Sequence, residues 1–182
     1  MEKPSNPKDI FIDNFLELLK YNPVSKITVT DLINNSGLSR QTFYRYFENI
    51  DDLIYSIHTK YISISLELCD KISIYDTLSK LYLDLMMEHQ SFYKKIISLD
   101  CKNSFTHLYI KKTKENYIEY IFKDTENTIT NDPELMLLLD FYTFGTCCLI
   151  FKWLKSENPC SSEVMAKVIY ESIPDKLNKF IE

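Results

Sequence analysis

The 182-residue chain is poor in residues that turn or break a backbone, with two glycines, six prolines and a single alanine, Ala166. It also lacks alternating apolar and polar runs joined by Asn-Gly or Asp-Gly turns, which excludes hairpin-based sheet architectures. Abundant Leu, Ile, Lys, Tyr and Phe remain, and these favour long helices. The predicted fold class is all-α, and 45% hydrophobic residues are enough to bury a core.

Positive charge is not in excess. The net charge is -5, and within residues 1–60 seven Lys and Arg stand against eight Asp and Glu. Indiscriminate binding to nucleic acid is thereby excluded, because phosphate neutralisation supplies most non-specific affinity. The N-terminal MEKPSNPKDIF lacks the charged-then-apolar pattern of a signal peptide. Leu135 to Leu154 is the most apolar stretch, but Asp140 and Lys152 interrupt it and Thr143 and Thr146 dilute it. A buried helix is expected there, with no membrane partner and a cytoplasmic location.

Catalytic signatures are missing as well. There is no Gly-rich phosphate loop, nucleophile elbow, H-E-x-x-H or cluster of His, Cys and acid at ligand spacing. No enzyme activity, catalytic residue, metal or cofactor is expected. The five cysteines (Cys69, Cys101, Cys147, Cys148, Cys160) are odd in number and read as reduced thiols; adjacent Cys147 and Cys148 are a poor bridging pair.

What the chain does have is concentrated between Ile27 and Leu53, ITVTDLINNSGLSRQTFYRYFENIDDL. Thr28 and Asp31 have the spacing of a helix start, in which the hydroxyl satisfies an orphan N–H and the acid favours the positive helix end. A short helix to about Ser36 is predicted. Gly37 then supplies the positive φ that ends it, and Ser39 caps a second helix running to about Phe47. Two short helices joined by a Gly-containing turn make a helix-turn-helix, whose second helix enters the major groove. Leu38, Phe43 and Phe47 face inward. Arg40, Gln41, Thr42, Tyr44, Arg45 and Tyr46 are left outside, and each can donate a hydrogen bond. Between Leu32 and Phe47 there is no acidic residue.

Around this stretch the periodicity is helical. Asn6, Pro7 and Asp9 start a first helix with Phe11, Phe15, Leu18 and Leu19 inward, and Pro23 stops it after Tyr21. Asn49 with Asp52 caps a fourth, long connecting helix with the stripe Leu53, Ile54, Ile57, Tyr61, Ile64 and Leu68. The spacing predicts helix throughout 76–99 and a helix or helix pair over roughly 103–123, followed by a polar loop over 124–132. Asp132 and Pro133 begin the apolar helix, which its composition predicts to be covered on more than one side, with a second subunit as one candidate covering. Ser161 or Ser162 caps a last helix that Pro174 kinks or breaks near Ile173. The domain division expected is 1–50 for the helix-turn-helix domain, its connecting helix running to about 70, and 51–182 for a helical regulatory and dimerisation domain. The two late apolar helices, about 133–156 and 161–181, suggest a two-fold, four-helix homodimer interface.

In the order T-V-x-D-L, G-L-S-R-Q-T-F-Y-R-Y-F, then an Asn-capped D-D-L, Thr28 to Leu53 resembles the DNA-binding domain of the TetR family of bacterial regulators. The F-Y-K-K-I segment at Phe92 and the Phe105-bearing helix are similar to the branch that includes the dihydroxyacetone kinase regulator. The resemblance implies a DNA-contacting set of Thr28, Ser39, Arg40, Gln41, Thr42, Tyr44, Arg45 and Tyr46. In it Thr28 touches phosphate, Arg40, Gln41, Thr42 and Arg45 face base edges or nearby phosphates, and Tyr44 and Tyr46 hold the backbone. Arg and Gln suit bidentate contacts to guanine and adenine edges. Ile50 departs from the pattern where the family usually has a phosphate-binding Lys, which weakens the backbone grip and leaves affinity either lower or shifted to Lys26 and the tyrosines.

The resemblance also implies a C-terminal domain that dimerises and often encloses a ligand. Tyr82, Met86, His89, Tyr93, Phe105, Tyr109, Phe141 and Phe144 are the candidate lining for a small-molecule effector. Aromatic stripes at helical spacing serve equally well as core, His89 as a satisfied core histidine, and Lys111 to Lys114 as a solvated face. Two functions follow. One is a homodimeric regulator, usually a repressor, on a pseudo-palindromic double-stranded operator, released by an effector. The other is a helical co-regulator whose C-terminal domain binds a partner protein.

Overall fold

The computed structural model describes residues 6–63, 65, 81–97, 104–122 and 125–181. Ile64, Leu68, Cys69 and Cys101 of the sequence reading lie outside them, as do 76–80, 98–99 and 123–124. The described residues are helical, with no strand among them. They belong to two units, Met1–Lys60 and Tyr61–Glu182, a division that falls inside the fourth helix.

In the first unit, local capping chemistry sets nearly every boundary. Helix α1, Pro7–Tyr21, starts where the Asn6 side chain accepts the Lys8 N–H at 3.1 Å. A 3-10 turn, Val24–Lys26, leads to α2, Val29–Ser36. Its start is a reciprocal capping box: Thr28 Oγ1 accepts from Asp31 N at 3.2 Å and Asp31 Oδ2 accepts from Thr28 N at 2.9 Å. The bond from the Thr28 hydroxyl, then that from its N–H, holds the Asp31 carboxyl below its ordinary range. Gly37 ends α2 at φ 68°, where a side chain would be strained. Ser39 caps α3, Arg40–Tyr46, by accepting the Thr42 N–H at 3.0 Å. Before α4, Ile50–Tyr61, Asn49 Oδ1 accepts from Asp52 N, and the Asp52 carboxylate accepts from Glu48 N.

The core of this unit is aromatic. Phe11 meets Phe43 and Phe47 edge-to-face at 5.3 and 6.4 Å, and Phe43 meets Phe47 at 5.4 Å. Leu32, Leu53, Ile54 and Ile57 are buried with them. This packing sets α3 against α1 and leaves the opposite face of α3 to solvent.

His58, also buried on α4, has its pKa pushed down to about 3 by desolvation. The unfolded chain protonates this imidazole at about 6.5, so between the two values the unfolded state binds more protons. Stability of the folded unit must therefore fall as pH drops from about 6.5 towards 3, by roughly 2 kcal/mol at pH 5. Thermal melts are expected to show a lower Tm at pH 5 than at pH 7, and His58→Leu to flatten that slope. An unchanged slope in His58→Leu would assign the effect to other groups.

The second unit departs from the sequence reading in three places. The predicted continuous helix over 76–99 is interrupted: α5, Leu83–Glu88, and α6, Gln90–Ile96, meet at His89, whose backbone lies at φ -104°, ψ 23°. The reason is tertiary. His89 stacks on Tyr61 with ring centroids 3.6 Å apart, while the next side chain, Gln90, donates to the Leu154 and Ser156 carbonyls. After α7, Ser104–Asn116, and a π-type turn, Tyr117–Ile121, the predicted polar loop contains a short helix, α8, Glu126–Thr130. Its one apolar residue, Ile129, is fully buried with Phe122, Leu135, Leu139 and Leu177 and pins the turn in place.

The third departure concerns α9, Pro133–Lys155, capped by Asp132 as predicted. It buries Leu139, Thr143, Thr146, Cys147, Ile150 and Leu154, while Leu137, Phe141, Phe144 and Leu149 are exposed. At 100° per residue Leu137, Phe141 and Phe144 fall opposite the buried set and Leu149 on its flank, so this chain leaves the side that carries Phe141 and Phe144 uncovered. Ser161 caps α10, Ser162–Glu171, and Pro174 separates it from α11, Asp175–Asn178. Tyr142 on α9 donates to the Ile169 carbonyl of α10 at 2.9 Å, and Trp153 Nε1 donates to the Cys160 carbonyl at 2.8 Å. These bonds hold α9 and α10 side by side, and Val164 and Val168 of α10 are also exposed.

Candidate nucleic-acid interface

Helix α3 is too short to be stable alone and is held by Phe43 and Phe47 on its inner face. Its outer face exposes Arg40, Gln41, Tyr44 and Arg45, with Thr42 and Tyr46 half-buried. Gln41, Thr42, Tyr44 and Arg45 line an open hollow on this face. The structure thus brings six of the eight expected DNA-contacting residues onto α3, with Ser39 at its cap and Thr28 at the cap of α2. Ser39 and Thr42 share a hydrogen bond between hydroxyls at 2.8 Å. The Thr28 hydroxyl donates to Asp31 Oδ2 at 2.6 Å, so a phosphate contact through it requires exchange of that bond.

One signal in the sequence is sharper than the acid-free run. Arg40 and Arg45 are the chain's only arginines; its other nineteen permanently positive side chains are lysines. Arginine differs from lysine in its planar five-donor fork, which matches base edges and phosphates two contacts at a time. Both forks are braced. Arg45 lies over the Tyr46 ring at 5.0 Å, and Arg40 Nη2 donates to Thr30 Oγ1 at 2.9 Å. Nothing in the sequence around Thr30 marks it for this role. Ile50 is half-buried at the start of α4, and Lys26 is exposed.

The candidate effector residues divide. Tyr82, Met86, Phe105 and Tyr109 come together: the Tyr109 hydroxyl donates to Met86 Sδ at 3.8 Å and meets the Tyr82 hydroxyl, and the Phe105 ring lies 6.0 Å from that of Tyr109. Tyr109 also packs on Phe151 at 4.9 Å. Burial pushes the phenol pKa of Tyr93 and of Tyr109 well up, with Tyr82 adding to both, so these groups stay neutral donors. His89 is half-buried against Tyr61 rather than among them. Phe141 and Phe144 are corrections to the sequence reading. They stand 79% and 52% exposed, on the side of α9 opposite its buried stripe. Among the described residues, no group of His, Cys, Asp and Glu could hold a metal ion.

Residues 74–175 match the TetR_C_8 family, described as a transcriptional regulator C-terminal region. That match covers more than half of the chain. The chain belongs to the TetR family of transcriptional regulators. It is 29% identical over 128 residues to the HTH-type dhaKLM operon transcriptional activator DhaS of Lactococcus lactis subsp. lactis (strain IL1403), an alignment spanning 69% of this chain and 66% of that protein. Among solved structures it resembles the dihydroxyacetone kinase operon activator DhaS, with 24% identity, TM-score 0.56, 97% of this chain and 98% of the other covered. It also resembles a TetR transcriptional regulator from Streptococcus agalactiae 2603V, with 18% identity, TM-score 0.62 and coverage of 92% and 93%. These structural likenesses bear on the fold, a helix-turn-helix followed by a helical C-terminal domain. Members of this TetR family regulate transcription, bind DNA and are not enzymes.

Proposed function

We propose that this chain is a cytoplasmic regulator that binds a pseudo-palindromic operator as a homodimer, one α3 helix per half-site. Residues 1–50 act as the DNA-binding domain and residues 51–182 as the regulatory and dimerisation domain. The observation that carries the reading is the exposed, acid-free face of α3, which holds both of the chain's arginines. A weakly charged reading head needs a second copy. The exposed apolar residues of α9 and α10, Leu137, Phe141, Phe144, Val164 and Val168, are the surface we assign to that contact. A dimer seated over a promoter represses by occlusion. The neutral phenols around Tyr109 suit release by an uncharged effector with polar and apolar parts.

A salt series tests this reading. On a duplex selected by the full chain from randomised DNA, affinity is expected to fall roughly a hundredfold between 50 and 200 mM salt, as for about four neutralised phosphates. Equal binding to a scrambled duplex would sink it.

The activator named among the relatives favours a second reading, a co-regulator whose C-terminal domain binds a partner protein. A stoichiometric second protein that co-purifies with the chain supports that reading; release from DNA by a small molecule supports the first.

A further inference from the structure

The hydrogen bond between Arg40 and Thr30 links the N-terminal ends of the two motif helices. Arg40 is the first residue of α3 and Thr30 the second of α2, ten positions earlier. N-terminal residues of a recognition helix are the ones that reach base edges, so Arg40 is the arginine best placed for sequence readout. Both side chains are exposed, and the contact therefore contributes little to holding the fold. Its effect falls on the arginine itself. A free Arg side chain carries large rotamer entropy that is lost when its fork docks on a base. Thr30 is β-branched, which restricts its χ1 and confines its hydroxyl to few positions, one of which meets Arg40 Nη2 at 2.9 Å. The bond uses one of five guanidinium N–H groups and leaves four, including the second hydrogen on Nη2, which is enough for a bidentate contact.

We propose that Thr30 is a positioning residue for DNA specificity: by accepting from Arg40 Nη2 it holds the Arg40 fork ready for one base pair of the operator. This rests on the DNA-binding reading above. Neither the sequence pattern nor the family resemblance assigned Thr30 a role. A positioning contact acts only through its partner.

The experiment selects binding sites from a randomised DNA pool with the full-length wild type, Thr30→Val, Thr30→Ser, Arg40→Ala and the Thr30→Val/Arg40→Ala double variant. Affinities for the selected duplex and its single-base-pair variants are then compared. Thr30→Val is expected to lose about two- to tenfold discrimination at the base pair whose preference Arg40→Ala removes, and none elsewhere. Thr30→Ser, which keeps the hydroxyl, retains most of it, and Thr30→Val has no further effect in the Arg40→Ala background. The proposal is overturned by a Thr30→Val chain that selects the wild-type site with undiminished strength, by one that weakens all sequences equally, or by additive effects in the double variant. If the wild type selects no site, the DNA-binding reading falls and this inference with it. If the wild type selects a site that Thr30→Val reproduces, the inference alone falls.

Discussion

Arg40→Ala in the full chain is expected to reduce discrimination between the operator and its single-base variants by about ten- to a hundredfold at one base pair, with Gln41→Ala doing the same at a neighbouring one. Both side chains are exposed on α3 and neither belongs to the Phe11, Phe43, Phe47 core, so melting temperature should stay within a degree or two of wild type. The pattern matters more than the size. A residue that reads a base edge loses sequence preference when truncated, whereas a phosphate contact such as the one expected of Lys26 weakens every sequence alike. Fluorescence anisotropy on a panel of point-substituted duplexes distinguishes the two. A uniform loss in Arg40→Ala would move this residue from base readout to backbone grip.

Phe141→Glu carries the other large effect. Phe141 is 79% exposed and Leu137 69% exposed, one turn apart on α9, an arrangement that leaves large apolar side chains in water unless a second copy covers them. In a two-fold interface each copy presents the same residue, so the substitution introduces two carboxylates into one apolar contact. Each buried, unpaired charge costs about 3–5 kcal/mol, which weakens dimerisation by more than about a hundredfold. The chain itself should fold normally, since Phe141 makes no part of the buried stripe Leu139, Thr143, Cys147 and Ile150. Sedimentation is expected to show a dimer for the wild type and a folded monomer for Phe141→Glu, with operator affinity lost in parallel. A Phe141→Glu chain that remains dimeric would move the interface to another face.

Much of the first unit was legible in the sequence because its boundaries are local chemistry. Asn6 with Pro7, Thr28 with Asp31, Gly37, Ser39 and Asn49 with Asp52 each act within four residues, and the structure realises each of these turns and caps. The same holds for Asp132 and Ser161 in the second unit. What the sequence hid depends on residues far apart in the chain. The break at His89 comes from its stack on Tyr61 and from Gln90 reaching the end of α9. The turn at α8 exists because Ile129 finds a buried place among residues up to 48 positions away, at Leu177. The orientation of α9 was unreadable because a helix apolar on nearly all faces has no period to mark its inner side; Phe141 and Phe144 therefore looked like lining when they are surface. Thr30 escaped notice for a related reason. It is an ordinary threonine until the turn at Gly37 carries Arg40 back beside it.

Two copies of a weakly charged reading head must act together to hold DNA, and the mass of the protein–DNA complex tests that most directly. On a duplex carrying the selected site as an inverted repeat with half-sites one helical turn apart, about 34–36 Å, two chains per duplex are expected to bind in a single cooperative step, with binding nearly lost when either half-site is scrambled. One chain per duplex, bound as tightly to a single half-site as to the full repeat, would contradict it.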